Sequence, residues 1–162
     1  MFIKQADIFW GIDHDFVKDI FDQSKKETHD KGDVLFKEGD PADTFFILTK
    51  GLVDISTGSN QEVVHVVNHP GEAFGWSCLV EREKYSASAE CMEPTLLIRI
   101  DKKVLEDAIE RDPKNGLIFY KHLAHSIGDR LVHSYHQTAS EIQSIHSESC
   151  GTGQMSMAAD DM

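Results

Sequence analysis

Apolar positions recur along the chain with two periods. Between residues 13 and 23, Phe16, Val17, Ile20 and Phe21 lie on one face at helical spacing, and Asp13 stands where a cap belongs. From 28 to 100 the texture changes to short runs: Thr44 to Leu48, Leu52 to Ser56, Val63 to Val67, Tyr85 to Met92 and Leu96 to Ile100. Gly32 and Gly39 bracket one more strand-length run, and Gly51 closes the next. Gly39-Asp40-Pro41, Gly58-Ser59-Asn60 and Asn68-His69-Pro70-Gly71 supply turns between runs. Many short strands at this spacing predict an antiparallel β-roll or jelly roll. After Ile100 the helical period returns. Asp101 can cap a short helix holding Val104, Leu105, Ala108 and Ile109, and Pro113 opens a second helix where its missing N–H costs nothing. The pattern therefore predicts a mainly β fold with flanking helices. One domain spans 1–145, with a long C-terminal helix over 113–145 and a disordered tail over 146–162.

The long helix has two distinct faces. Tyr120, Ala124, Ile127, Leu131, Ser134 and Thr138 alternate in steps of four and three, a heptad seam that predicts a homodimer. Its apolar quality fades after Leu131. Nearly opposite, His122, His125, Asp129, His133 and His136 fall within one narrow arc. Histidine and aspartate at such spacing suit a divalent metal or a pH response. Without a HExxH motif or a supporting cysteine cluster, the face reads as polar and solvated, and no metal site is assigned. His65, in the Val63–Val67 run, reads as a satisfied residue of the roll.

Charge and cysteine content narrow the function classes. The 162-residue chain carries 28 acidic and 16 basic residues, a net charge of −12, so its average field repels a phosphate backbone. Residues 113–140 hold three basic residues against Asp129 alone, which is +2 and leaves −14 on the remainder. Cys78, Cys91 and Cys150 are odd in number and lack CxxC spacing, which suits reduced thiols and a cytoplasmic location. No run approaches the roughly 20 apolar residues that cross a bilayer. No nucleophile–base pair, carboxylate pair or phosphate loop marks an enzyme.

The glycine and turn spacing of Lys31 to Gly51, together with the order helix, roll, short helix, long helix, resembles the cyclic-nucleotide-binding domain. This is the sensor module of the catabolite-activator and FNR-like regulators. The resemblance implies a regulatory, non-catalytic domain that dimerises through its long helix and signals to a downstream protein not identified by sequence. The helix-turn-helix domain of the transcription-factor members has no counterpart in these residues, so DNA binding is not expected. In the family a phosphate cassette reads Phe-Gly-Glu-hydrophobic, then Arg-Ser/Ala-Ala about nine residues after the Glu. Here Phe74, Gly75, Leu79, Ser86 and Ala87 fit, with Ser77 and Cys78 between them. Trp76 replaces the Glu that accepts from the ribose, and Tyr85 replaces the Arg that neutralises the phosphate. Three readings stay open: aromatics filling the pocket, a pocket altered for another ligand, or weakened nucleotide binding through backbone amides. Arg82 and Lys84 are near enough to substitute for the lost cation, although Glu81 and Glu83 alternate with them in what reads as a solvated turn. Cyclic nucleotide or another small ligand is the only cofactor implied; haem has no particular ligand pair here. Cys78, near the start of the cassette's short helix, is placed where a dipole lowers a thiol pKa, against the competing reading of a small buried thiol.

Overall fold

The computed structural model describes residues 7–160, with side chains described from 8 to 147. Helix α1 (His14–Asp22) precedes strands β1 (Lys25–His29), β2 (Val34–Phe36), β3 (Thr44–Lys50), β4 (Val53–Thr57), β5 (Glu62–Val67), β6 (Ala73–Phe74), β7 (Ser88–Cys91) and β8 (Thr95–Asp101). Helices α2 (Lys102–Arg111) and α3 (Pro113–Asp160) follow. The strands form two four-stranded antiparallel sheets, ordered β1-β8-β3-β6 and β2-β7-β4-β5. This is the antiparallel roll with flanking helices that the apolar pattern predicts.

Strand β3 is the centre of the core, buried on both faces over its first five residues. Such a strand reads as a continuous apolar run rather than an alternation. Phe45 points towards the helices, where its ring meets Phe119 at 6.1 Å and Phe119 meets Phe9 at 5.7 Å. Phe46, on the opposite face, stacks on Phe36 of β2 at 5.8 Å and on Phe74 of β6 at 5.1 Å. Each fully buried phenylalanine contributes about 1.5–3 kcal/mol of transfer free energy, so these rings fasten the two sheets together.

Three local outcomes differ from the pattern. Strand β1, Lys25-Lys26-Glu27-Thr28-His29, has no apolar residue and leaves no signal, yet it pairs with β8 along its whole length as a charged edge strand. The strand expected to start at Tyr85 starts at Ser88. The backbone of Tyr85 is instead engaged by the Gly39-Asp40 turn, with Gly39 N–H donating to Tyr85 O and Tyr85 N–H donating to Asp40 O, both at 2.9 Å. Helix α3 continues to Asp160, through residues expected to form a disordered tail. No proline follows Pro113, and the glycines of this stretch each lower helix propensity by only about 1 kcal/mol.

The junction of α2 and α3 is tied to α1 by buried Asn115. Its amide donates to Asp112 Oδ2 at 2.7 Å and to Asp13 Oδ2 at 3.0 Å, and its Oδ1 accepts from Asp13 N at 3.2 Å. The Asp13 carboxylate is thus spent on Asn115 and does not cap its own helix. The described chain divides into two compact units, one ending at Leu123 and the other, beginning at Ala124, holding the rest of α3. Among the described residues no helix is long and apolar enough to cross a membrane.

Candidate functional site

The cassette begins at the end of β6. Phe74 is buried in the roll, and Gly75 adopts φ +79°, the left-handed conformation that glycine enters without strain. A Cβ on Gly75 would lie 3.1 Å from Thr44 O and 3.2 Å from the Phe46 ring, so the site excludes a side chain for reasons of space as well. The chain then makes one 3-10 turn, Trp76–Leu79, whose Ser77, Cys78 and Leu79 are buried. Ser77 O accepts from Val80 N–H at 3.4 Å and Arg82 N–H at 3.3 Å, which closes the turn.

Tyr85 occupies the interior. Its ring stacks on Phe36 at 3.8 Å and is 5% exposed. The hydroxyl donates to Thr44 O at 2.6 Å and accepts from Thr44 N–H at 3.2 Å, so both backbone groups of Thr44 are satisfied by one side chain. Burial pushes the phenol up to about 12 from its ordinary 10.0, and the bond to the Thr44 backbone only partly opposes that. Tyr85 is therefore neutral at physiological pH and presents no charge to a ligand. Trp76 is half-buried, and the Arg82 guanidinium lies 5.9 Å from its ring centroid as a cation–π cap. Arg82, Lys84 and Ser86 are exposed, and Ala87 is half-buried. Lys84 is bridged through its backbone to Pro41.

Cys78 is not a lowered thiol. Burial pushes its pKa up to about 12, outweighing Lys102, and its Sγ–H donates to Gly75 O at 3.5 Å. A single 3-10 turn has too few aligned peptides to supply the dipole that the sequence position suggests. Cys91 is likewise a buried free thiol.

The residues of the long helix separate. Tyr120, expected in the seam, donates its hydroxyl to Leu79 O at 3.2 Å and so ties the first turns of α3 to the end of the cassette turn. Ala124 and Leu131 are exposed and Ile127 is half-buried. Past Leu131, Tyr135, Ile142 and Ile145 are further exposed apolar side chains. At 3.6 residues per turn, Leu131, Tyr135, Ile142 and Ile145 lie within an arc of about 80°. The wider arc, including positions one step from the strict heptad, carries the apolar surface that the narrower pattern misses. His122 donates Nδ1–H to Ile8 O at 3.1 Å. His125 sits 3.3 Å from Asp129, His133 Nε2 lies 3.4 Å from the Gln137 amide, and these residues and His136 are exposed. Among the described residues no group of three or more His, Cys, Asp or Glu side chains is placed to hold a metal. His65 pairs with Glu72 at 3.2 Å.

Arg99 escapes the sequence reading. It shares the inward parity of buried Leu97 on β8, lies opposite Phe46, and borders a cavity of about 220 Å³ that Tyr85 also lines. An arginine inside the run Leu96-Leu97-Ile98-Arg99-Ile100 is the signal that marks it.

Comparison with known proteins places this geometry. The family model described as cyclic nucleotide-binding domain matches residues 26–112. Human cGMP-dependent protein kinase 2 is 31% identical over 90 residues, covering 54% of this chain and 12% of the kinase. A structure from Geobacter metallireducens, described as a cyclic nucleotide-binding protein, is 28% identical, with a TM-score of 0.68 over 76% of this chain and 91% of that one. The N-terminal domain of a transcriptional regulator from Streptomyces coelicolor shares the fold at 20% identity, with a TM-score of 0.66 over 80% of this chain and 94% of that one.

Proposed function

The chain belongs to the cyclic nucleotide-binding domain family, and from that premise we propose that it is a non-catalytic regulatory sensor whose cassette does not hold a cyclic nucleotide by the family's Glu and Arg contacts. The observation that carries this reading is Tyr85. Its side chain is committed to Phe36 and to both backbone groups of Thr44, and it is neutral. A phosphate in the cassette would have the turn's first N–H groups but no cation at this position. Hydrogen bonds to charged groups contribute about 1.5–3 kcal/mol each, so losing two weakens binding by about two to four orders of magnitude.

The route from cassette to output runs through Tyr120. Its bond to Leu79 O makes the first turns of α3 sensitive to any shift of the 76–79 turn. The exposed seam of Ala124, Leu131, Tyr135, Ile142 and Ile145 supports pairing with a second copy. The net charge of −12 favours a protein rather than DNA as the downstream partner. The buried free thiols Cys78 and Cys91 suit a reducing, cytoplasmic setting.

Calorimetric titration of the native chain with cyclic AMP and cyclic GMP tests the proposal. The expected result is no saturable heat in the micromolar range, with micromolar affinity appearing in the double variant Trp76→Glu, Tyr85→Arg. Micromolar binding by the native chain would overturn it.

A further inference from the structure

We propose that the roll carries a second small-molecule site, lined from β2, β3 and β8, that takes a zwitterion the size of a small free α-amino acid. The cavity of about 220 Å³ is bounded by Asp40, Asp43, Thr44, Phe46, Tyr85 and Arg99, among others. At about 30 Å³ per water it has room for about seven waters, the scale of a compact ligand with seven to ten heavy atoms. A wider cleft beside α2 shares Asp43, Thr44 and Arg99 with it, and Asp40 and Asp43 are exposed at its rim.

Arg99 supplies one pole. Its guanidinium has two long polar contacts, 3.5 Å to Glu27 and 3.4 Å to Thr44 Oγ1, and lies 6.0 Å from the centroid of the Phe46 ring. Five N–H donors in a planar fork match a carboxylate two at a time, and two long single contacts leave most of that capacity unspent. A half-exposed arginine laid over an aromatic ring beside a cavity is an arrangement that carboxylate recognition uses.

Asp40 and Asp43 supply the other pole. Asp40 Oδ2 accepts from Lys37 N–H at 3.0 Å and Asp43 Oδ1 accepts from the Thr44 hydroxyl at 3.0 Å. Each carboxylate retains acceptor capacity for an ammonium group. Two carboxylates against one guanidinium give the cavity lining a formal charge of −1, and Glu27 beside Arg99 adds to it, which disfavours a simple anion. A simple cation would in turn meet Arg99. A ligand carrying both charges satisfies both poles, and the edges of the buried rings of Phe36, Phe46 and Tyr85 border it. The cavity's size favours a compact aliphatic α-amino acid over a longer zwitterion.

The test titrates the full chain with L-alanine, L-valine and L-leucine, and with isobutylamine and 3-methylbutanoate as the amine-only and acid-only counterparts of valine. Saturable binding of at least one amino acid is expected, with both valine counterparts about tenfold weaker or worse than valine. Arg99→Gln should lower amino-acid affinity about tenfold or more, whereas Lys18→Ala, exposed on α1 and remote from the cavity, should leave it unchanged. If Arg99→Gln does not fold, Asp43→Asn reads the ammonium pole by the same titration. No binding of any amino acid at about 10 mM would overturn the proposal, as would 3-methylbutanoate binding as tightly as valine or affinity indifferent to both rim substitutions.

Discussion

Tyr85 and Gly75 show how much a single position decides. The Tyr85 hydroxyl satisfies a buried donor and a buried acceptor on Thr44, so Tyr85→Phe leaves both unpaired at a cost of about 1–3 kcal/mol, measurable by urea denaturation. Its titration adds a pH signature. Tyr85 and Cys78 both hold their protons to about 12 in the folded chain, against ordinary values of 10.0 and 9.0. As pH rises the unfolded chain releases those protons first, so their stabilisation is full below about 9 and is lost as pH climbs towards 12. Stability should therefore fall across that window, by up to about 3 kcal/mol from Tyr85 alone, and Tyr85→Phe should flatten the part above 10. Gly75→Ala combines positive φ with contacts of 3.1 and 3.2 Å and should cost about 1–3 kcal/mol in the same denaturation assay.

At the scale of elements, the joint between α1, α2 and α3 rests on Asn115 and two carboxylates. Asn115→Ala removes donors from Asp13 and Asp112 and should lower the melting temperature at neutral pH. The Asn115 amide also holds the Asp112 carboxyl below its ordinary 3.8, so this contribution is present above that value and is lost as pH falls through the lowered one. The deficit of the variant relative to the native chain should accordingly be full at neutral pH and narrow below about 3.8, as followed by thermal melts across an acid series. A second joint, Tyr120 to Leu79, joins a helix predicted from its period to a turn predicted from its resemblance. Each element was visible alone. Their bond was not, because forty-one residues separate the partners and no local pattern encodes the pairing.

For the whole molecule, the proposed output is a dimer. Leu131 is 49% exposed and Tyr135 60% exposed, on the arc that Ile142 and Ile145 extend. Leu131→Lys combined with Ile142→Lys should convert a dimer to a monomer in sedimentation equilibrium while leaving the far-ultraviolet spectrum unchanged, since an exposed helix face accepts lysine at little cost. A native chain that sediments as a monomer at micromolar concentration would remove the dimer from the mechanism.

Period, punctuation and motif were enough to place most of the helices and strands, the turns at the glycines, the opening of α3 at Pro113 and the two departures at Trp76 and Tyr85. All of these are local signals. The sequence by itself was silent on β1, whose five polar residues become a strand only because β8 offers them a ladder. Nor could it tell whether Tyr85 would be pocket wall or ligand contact. The packing that bears on it, the 39–42 turn holding the backbone of Tyr85 and its ring lying on Phe36, exists only in the folded chain. The same holds for Arg99, which looks like an interruption of an apolar strand until Thr44, Phe46 and Glu27 are brought around it. Hydrophobic period is a property of neighbours along the chain. A site is a property of neighbours across it, and only the packed sheets bring those together.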